Sequence, residues 1–398
     1  MKNSKFRMKL SFSERGHFTY SEVQSTYYIN VIIEGDTNSD IGIDALTSAI
    51  KISSESNHGS RLVLRGLLNF SYLEDSGVPP PLRIVENVYW DGLSSDKADF
   101  FDASLNARSG PTCEVIYLKG DPNRIIFRTH HMVMDGIGTM LWAEDVFRVL
   151  CGEKPVSFFA ELTEYDLIKR MGWKTRVRFP QNNIAPTGKS DGIASFKPRW
   201  IRRSVTGRYS NLIGQISVLL AAEARKYSEG NFYVSIPVDL RQRNNYFKTT
   251  RNFAGVIYVE VKPDNSVSDI STNIRRQLEN AEDLKFDIED VYCRYIPVSI
   301  IKKFLTKRVL KSHSRSRYWS SATISNLGYV DIEKFTGGGF NAETFFFIPQ
   351  REYSPAFIGL CGSKNLVEIT LSVPDVLRTN NRDEKLMDAI VSGLVPKG

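Results

Sequence analysis

Two adjacent histidines, His130 and His131, precede an Asp-Gly pair at positions 135 and 136. Imidazole is the side chain whose ordinary pKa lies closest to pH 7, so a histidine can accept or donate a proton under physiological conditions. A histidine in this setting suits general-base activation of a hydroxyl or an amine. Asp135 could orient a neighbouring group, and Gly136 would let a ligand come close to the backbone. This stretch is therefore the first candidate for a catalytic site.

The histidines lie where a predicted strand gives way to a loop and then to a helix. Residues 125 to 129 combine β-branched and aromatic side chains, as strands do. After Gly136, apolar residues recur at helical spacing, namely at Ile137, Met140, Leu141, Phe147 and Leu150. The end of a strand that leads into a helix is a common place for a site in α/β proteins.

The period of two in a strand places His130 and His131 on opposite faces. His131 shares the less charged face, and partial burial there disfavours the protonated imidazole. His131 would then be neutral at pH 7 and able to act as a base. For His130, packing or a hydrogen bond is the simpler interpretation, although it is also a candidate for binding substrate.

The composition is typical of a globular protein with more than one domain. The 398 residues exceed what one hydrophobic core usually organises, and 41% hydrophobic with 24% charged residues match soluble proteins. No apolar run approaches the roughly 18 residues of a transmembrane helix, and the basic N-terminus lacks the apolar segment of a secretion signal. The cysteines lack metal-ligand spacing and are expected to be reduced thiols of a cytoplasmic protein: Cys113, Cys151, Cys293 and Cys361.

Strand-like and helix-like segments alternate along the chain, which predicts an α/β fold. Strands are expected at residues 27–33, 61–70, 83–90, 115–118, 125–129, 231–240, 253–261, 321–328, 357–361 and 366–373. Further helices are expected at residues 43–50, 210–227, 267–284, 298–311 and 383–394. Residues 1 to 20 are expected to be irregular. The periodicity fades between residues 161 and 205, so we predict an N-terminal half (1–160), a crossover linker (161–205) and a C-terminal half (206–398).

The segment from His130 to Gly136 resembles the HHxxxDG signature of the chloramphenicol acetyltransferase-like superfamily, which includes condensation domains and alcohol acetyltransferases. Two further segments resemble that group in the correct order. One is the predicted strand that ends in Pro237-Val-Asp-Leu-Arg241. The other is Ser325-Asn-Leu-Gly328, which is similar to the SNxG element of the alcohol acetyltransferase-like branch. The resemblance covers the chain from about residue 25 onward.

The resemblance implies two similar α/β domains, each a mixed sheet flanked by helices, with the active site in a tunnel between them. It implies a monomeric acyltransferase of natural product biosynthesis, either a free-standing condensation enzyme or an alcohol acetyltransferase-like enzyme. The acyl donor would be acyl-CoA or a phosphopantetheinyl thioester on an acyl carrier protein, and the acceptor an alcohol or an amine. No bound cofactor or metal is implied.

The resemblance also assigns roles to particular residues. His131, the second histidine of the motif, would be the general base. Asp135 would be structural and would pair with an arginine, for which Arg241 and Arg251 are both candidates. The backbone N–H of Gly136 could help to stabilise an oxyanion. Substrate contacts, or a turn that closes the tunnel, are expected at Ser325, Asn326 and Gly328.

Several alternatives stay open. The spacing of His130 and Asp135 also fits the HxxxxD pattern of glycerolipid acyltransferases, in which the first residue is the base. Adjacent histidines on a strand cannot readily hold one metal ion, and no third ligand is near in sequence. A relative that has lost catalysis could act as a docking module for a carrier protein. An isomerising or cyclising condensation-type enzyme would keep His131 as the base.

The net charge of +7 is modest and would favour a phosphorylated co-substrate or an acidic carrier protein. No signature of a nucleic-acid-binding module is present. Most runs of basic residues are solvated surfaces. The alternatives are contacts with coenzyme A phosphates, with the acidic helix of a carrier protein or with an anionic membrane surface. Such a run is formed by Lys302, Lys303, Lys307, Arg308, Lys311, Arg315 and Arg317.

Overall fold

The computed structural model describes residues 6–24, 27–86, 88–158, 162–172, 174–177, 179–191, 197–243, 248–293, 295–349 and 354–397. The strands of these segments are β1 (Arg7–Lys9), β2 (Tyr28–Gly35), β3 (Leu62–Arg65), β4 (Tyr72–Asp75), β5 (Leu82–Val85), β6 (Cys113–Leu118), β7 (Arg124–His130), β8 (Pro198–Thr206), β9 (Tyr233–Asp239), β10 (Ala254–Glu260), β11 (Ala322–Tyr329), β12 (Ala342–Ile348), β13 (Phe357–Ser363) and β14 (Leu366–Pro374). The helices are α1 (Phe12–Ser21), α2 (Ile43–Ser56), α3 (Gly136–Leu150), α4 (Glu164–Arg170), α5 (Leu212–Arg225), α6 (Val267–Glu279), α7 (Ile288–Cys293), α8 (Val298–Arg315) and α9 (Arg382–Gly393).

Two mixed sheets organise the chain, each with its own hydrophobic core. The first has the order β12-β2-β7-β6-β5, in which only β5 and β6 run parallel. The second has the order β10-β9-β11-β13-β14-β8, in which β11 runs parallel to both of its neighbours. The predicted α/β class with mixed sheets and flanking helices is confirmed. Among the residues that the structure describes, no helix is long and apolar enough to cross a bilayer.

Strand β12 lies in the first sheet, although it follows most of the second sheet in the sequence. It pairs antiparallel with β2, and its aromatic residues Phe345 and Phe346 are buried in the first core. The sequence analysis assigned no strand there. The predicted boundary at residues 160 and 161 lies outside the described residues, and the division of the chain into halves stays a prediction.

The N-terminal segment is not irregular as expected, because it forms β1 and α1. A capping box starts the helix. The Ser11 backbone N–H donates to Glu14 Oε2 at 2.7 Å, and the Ser11 hydroxyl accepts from the Glu14 backbone N–H at 3.2 Å. Ser-x-x-Glu is a recognisable start signal for a helix. The sequence analysis missed the helix because α1 lacks a continuous apolar stripe.

A buried arginine joins the two sheets. Arg202 of β8 donates to Glu34 of β2 at 3.0 Å and to Glu368 of β14 at 2.6 Å. Its guanidinium also lies 3.8 Å from the ring centre of Phe346 in β12. Burial lowers the pKa of Arg202, but the two carboxylates outweigh that effect and raise it. The arginine therefore stays charged and compensates two buried acids.

Replacing Arg202 should be costly, because it would leave Glu34 and Glu368 buried without a counter-charge. We expect Arg202→Met to lower the free energy of unfolding by about 3–5 kcal/mol, measured by urea denaturation. Arg203→Met is the matched control, since Arg203 faces solvent and pairs with the half-exposed Glu384. Its expected cost is about 0–1 kcal/mol. Equal costs for the two variants would contradict the assignment.

Candidate active site

The histidine motif lies at the junction between β7 and α3, as its sequence predicts. Strand β7 ends at His130, and α3 begins at Gly136. Asp135 caps the helix, because its carboxylate accepts the backbone N–H of Gly138 at 2.7 Å. His130 is buried, whereas His131 is half-buried in the turn after the strand. The turn therefore carries His131 beyond the end of the strand, where it meets the segment between β9 and β10.

Asn252 holds His131 from the segment between β9 and β10. Its amide Nδ2 donates to the carbonyl oxygens of His131 at 2.7 Å and of Met132 at 3.1 Å. Those two acceptors determine the orientation of the amide, so its Oδ1 faces His131 Nδ1 at 3.0 Å. A carbonyl oxygen only accepts hydrogen bonds, and Nδ1 must therefore carry the proton. In the neutral ring the unprotonated nitrogen is then Nε2, which can act as a base.

Two aromatic side chains lie against His131. The His17 ring of α1 stacks on it with centroids 3.7 Å apart and an interplanar angle of 10°. Tyr27 is also stacked near His131, at 5.3 Å, and its hydroxyl lies 2.9 Å from His17 Nδ1. The His17 ring therefore covers one face of the His131 imidazole. The predicted tunnel between the halves stays a prediction.

Asp135 pairs with Arg241 in a two-pronged ion pair. Arg241 Nη2 lies 3.0 Å from Asp135 Oδ1, and Nη1 lies 3.1 Å from Oδ2. Burial lowers the pKa of Arg241, but Asp135 and Asp239 outweigh it and raise the pKa. Arg241 also donates to the carbonyl oxygens of Thr249 at 2.8 Å and Arg251 at 2.6 Å. The ion pair therefore holds the segment that carries Asn252.

Arg251, the other candidate partner of Asp135, pairs with Glu14 instead. Its Nε and Nη2 donate to the two carboxylate oxygens of Glu14, each at 2.8 Å. Both side chains are buried. Because Glu14 lies one helical turn before His17, this ion pair fixes α1 and hence the ring that stacks on His131.

His130 has a structural environment. Its Nδ1 accepts the backbone N–H of Met132 at 3.1 Å, and its ring contacts Tyr28 edge-on. Burial, with a smaller effect of the neighbouring His131 charge, lowers the pKa of His130 to about 3. The HxxxxD alternative requires His130 to be the base and Asp135 to complete the motif. The carboxylate of Asp135 is instead engaged by Arg241 and by the backbone N–H groups of Gly138 and Phe253.

The predicted Ser325-to-Gly328 element lies beside the motif. Its Leu327 packs against Gly136, where a Cβ would lie 3.2 Å from Leu327 Cδ2. The side chain of Asn326 accepts the Gly328 backbone N–H at 2.9 Å and so forms a turn. Ser325 is half-buried on β11 opposite Gly359. Substrate contacts by these residues stay a prediction.

Sequence reasoning missed two residues that contact His131 directly, His17 and Asn252. Asn252 follows the flagged Arg251, but nothing in the local pattern points to it. His17 could have been approached through the capping signal of α1. Among the described side chains, no three His, Cys, Asp or Glu residues are grouped as metal ligands, and the four cysteines are free thiols.

No family model and no curated protein matches the chain. Solved structures do match it over nearly its whole length. A mutant starter condensation domain of rhizomide synthetase RzmA, in complex with C8-CoA and Leu-SNAC, has a TM-score of 0.68 at 12% identity, over 97% of this chain and 93% of that one. The condensation domain of the Monacolin K polyketide synthase MokA has a TM-score of 0.64 at 10% identity, over 98% and 97%.

The chain has the condensation-domain fold. The match extends over nearly the whole chain, so the fold expected from the resemblance is confirmed. A second RzmA mutant, in complex with C8-CoA, has a TM-score of 0.64 at 13% identity, over 98% of this chain and 96% of that one. At these identities the likeness establishes the condensation-domain fold alone, and the ligands belong to those proteins.

Gly138 tests the close contact between α3 and the segment that precedes β10. A Cβ at this residue would lie 2.0 Å from the carbonyl oxygen of Thr250, next to the segment that carries Asn252. We expect Gly138→Ala to destabilise the protein by about 1–3 kcal/mol. Gly16→Ala is the control, because a Cβ there meets nothing within 4 Å, and it should be neutral or stabilising. Equal melting temperatures for the two variants would argue against the close contact.

His130 should make stability depend on pH. Its pKa is about 3 in the folded chain and about 6.5 when exposed. Between these values the unfolded chain binds a proton that the folded chain does not, so stability is lost as pH falls from about 7 towards 3. His130→Asn keeps an acceptor for the Met132 N–H and removes the titration. Its melting temperature should therefore fall less steeply on acidification than that of the wild type, and parallel curves would refute the assignment.

Proposed function

We propose that this protein is an acyltransferase that moves an acyl group from a thioester to an alcohol or an amine, with His131 as the general base. The observation that carries the proposal is the contact between Asn252 and His131. It places the proton on Nδ1 and leaves Nε2 to accept one. With the proton on Nδ1, the neutral ring presents the lone pair of Nε2, which general-base catalysis requires.

In the proposed reaction, Nε2 of His131 removes the proton from the acceptor as its oxygen or nitrogen attacks the thioester carbonyl. The new ester or amide bond forms, the carbon–sulfur bond breaks, and the proton passes to the departing thiolate. No covalent acyl-enzyme is needed, because both substrates can be held together next to the base. The N–H of Gly136 is a candidate donor to the oxyanion that forms in between.

Asp135 and Arg241 take no proton in this scheme. Their buried ion pair holds the backbone on both sides of the site, and Asn252 then orients the base. Residues of this kind act by positioning, and their loss typically lowers activity without abolishing binding.

The donor is proposed to be acyl-CoA or a phosphopantetheinyl thioester on an acyl carrier protein. Two structural neighbours were solved with C8-CoA, and one of these also with the amino-acid thioester Leu-SNAC. The same chemistry of a thioester donor and a nucleophilic acceptor suits the histidine of this chain. Natural product biosynthesis in the cytoplasm is the proposed setting.

Thiol release tests the proposal. Acyl-CoA and acyl-carrier thioesters would be incubated with pooled alcohols and amines, and the free thiol would be measured. We expect His131→Ala to lower kcat/KM by about 10²–10⁴-fold. Asn252→Ala should lower kcat by about 10–100-fold with little change in KM, as expected for loss of a group that orients a functional histidine.

His130→Asn is the matched control, since it alters the neighbouring histidine but preserves its hydrogen bond to the backbone. It should keep most of the activity. If His130→Asn abolishes turnover while His131→Ala retains it, the base assignment is wrong and the HxxxxD alternative gains support. If a carrier protein binds but no donor gives turnover, the protein is a docking module.

A further inference from the structure

Helix α8 carries an unusual outer face of lysines and large apolar side chains. Ile300 is 56% exposed and Phe304 is 63% exposed. Lys303, Lys307 and Lys311 are also exposed. Helical residues three, four, seven and eleven positions apart lie on one side of the helix. These five residues therefore form one continuous surface, here called the α8 face.

The opposite side of α8 anchors the helix to the protein. Val309 and His313 are buried, and His313 Nδ1 lies 3.2 Å from the Tyr318 hydroxyl. Arg308, on the flank, places its guanidinium 4.3 Å from the ring centre of Trp319. Because these contacts fix the rotation of the helix, the α8 face must point outward.

The junction before α8 is also anchored. Arg15 of α1 donates to the carbonyl oxygens of Cys293 at 3.3 Å and Ile296 at 2.9 Å. Next to this junction, Tyr292 and Tyr295 are 61% and 52% exposed. Two exposed aromatic side chains therefore precede α8 in the sequence, next to its anchored start.

No acidic residue occurs between Val298 and Arg315. Within the described part of the chain, no carboxylate pairs with the lysines of α8, which are Lys302, Lys303, Lys307 and Lys311. Exposed charges of one sign around apolar side chains create a local positive potential that attracts an anionic surface.

We propose that the α8 face docks on an anionic lipid bilayer. The α8 face mixes lysines with apolar side chains on one side of the helix, a combination that joins electrostatic attraction to anionic headgroups with shallow burial of Ile300 and Phe304. Tyrosines prefer the headgroup level, where the ring is buried and the hydroxyl stays hydrated. Lysines, by contrast, are depleted in protein–protein interfaces, where arginine is preferred. The composition of the α8 face therefore favours lipid over a protein partner.

The geometry fits shallow binding rather than insertion. Ile300 and Phe304 are one turn apart, so both could enter the boundary between headgroups and acyl chains. The lysines at 303, 307 and 311 flank them and would contact lipid phosphates. Attraction of this kind is electrostatic in large part and is weakened by salt.

Vesicle flotation tests the proposal. The full chain would be mixed with vesicles of phosphatidylcholine alone or of phosphatidylcholine with phosphatidylglycerol, at low and at high salt. We expect binding only to the anionic vesicles, with release at high salt. The triple variant Lys303→Glu, Lys307→Glu and Lys311→Glu should bind at least about tenfold more weakly.

Matched controls separate the α8 face from net charge and from general hydrophobicity. Lys51→Glu, Lys262→Glu and Lys385→Glu together make the same charge change at exposed sites elsewhere and should leave binding intact. Phe304→Ser should weaken binding severalfold. Phe70→Ser, at a residue that is 83% exposed, should not. Unchanged melting temperatures would establish that all variants are folded.

Two results would overturn the proposal. One is the absence of binding to anionic vesicles, or binding that the α8 triple variant does not weaken. The other is that the wild-type protein does not bind vesicles but binds an acidic acyl carrier protein, and that the triple variant loses this binding. The second result would assign the α8 face to a protein partner. Neither result bears on thiol release, so failure here is distinguishable from failure of the proposed acyl transfer.

Discussion

The buried ion pair between Asp135 and Arg241 is the contact on which the candidate site depends. Asp135 lies at the start of α3, after β7 of the first sheet. Arg241 lies just after β9 of the second sheet. Removing two charges from water is costly, and the cost is recovered only with good geometry and further hydrogen bonds. Here the pair is two-pronged, and both partners make additional hydrogen bonds to backbone groups. The pair therefore ties the start of α3 to the segment that follows β9.

The chemistry follows from that contact. Because Arg241 holds the carbonyl oxygens of Thr249 and Arg251, it fixes the backbone that leads directly into Asn252, whose side chain contacts His131. His131 follows β7 of the first sheet, and the group that orients it precedes β10 of the second. A third contribution is α1, which places His17 on the face of the imidazole and is itself held by the ion pair of Arg251 with Glu14. The site is thus assembled only when all three parts are in place.

Local patterns in the sequence predicted the elements around the site. The strand, turn and helix at the HHxxxDG motif, the mixed sheets and the choice of Arg241 or Arg251 near Asp135 all came from spacing, periodicity and resemblance. They could not predict Asn252, because its contact with His131 spans 121 positions of sequence and depends on how two sheets pack. The same reason applies to β12, whose aromatic run is equally compatible with either core. The periodicity of apolar residues indicates that a segment is buried, but it does not indicate which other segment covers it.

The most direct test of the account is nitrogen-15 NMR of the imidazole nitrogens in protein labelled at histidine. The chain has only five histidines, so His131 can be assigned by comparison with His131→Ala. The account predicts that at neutral pH the proton of His131 is on Nδ1, and that Asn252→Ala weakens this preference. A proton on Nε2 in the wild-type protein would contradict the proposed base, because no lone pair would then face the acceptor.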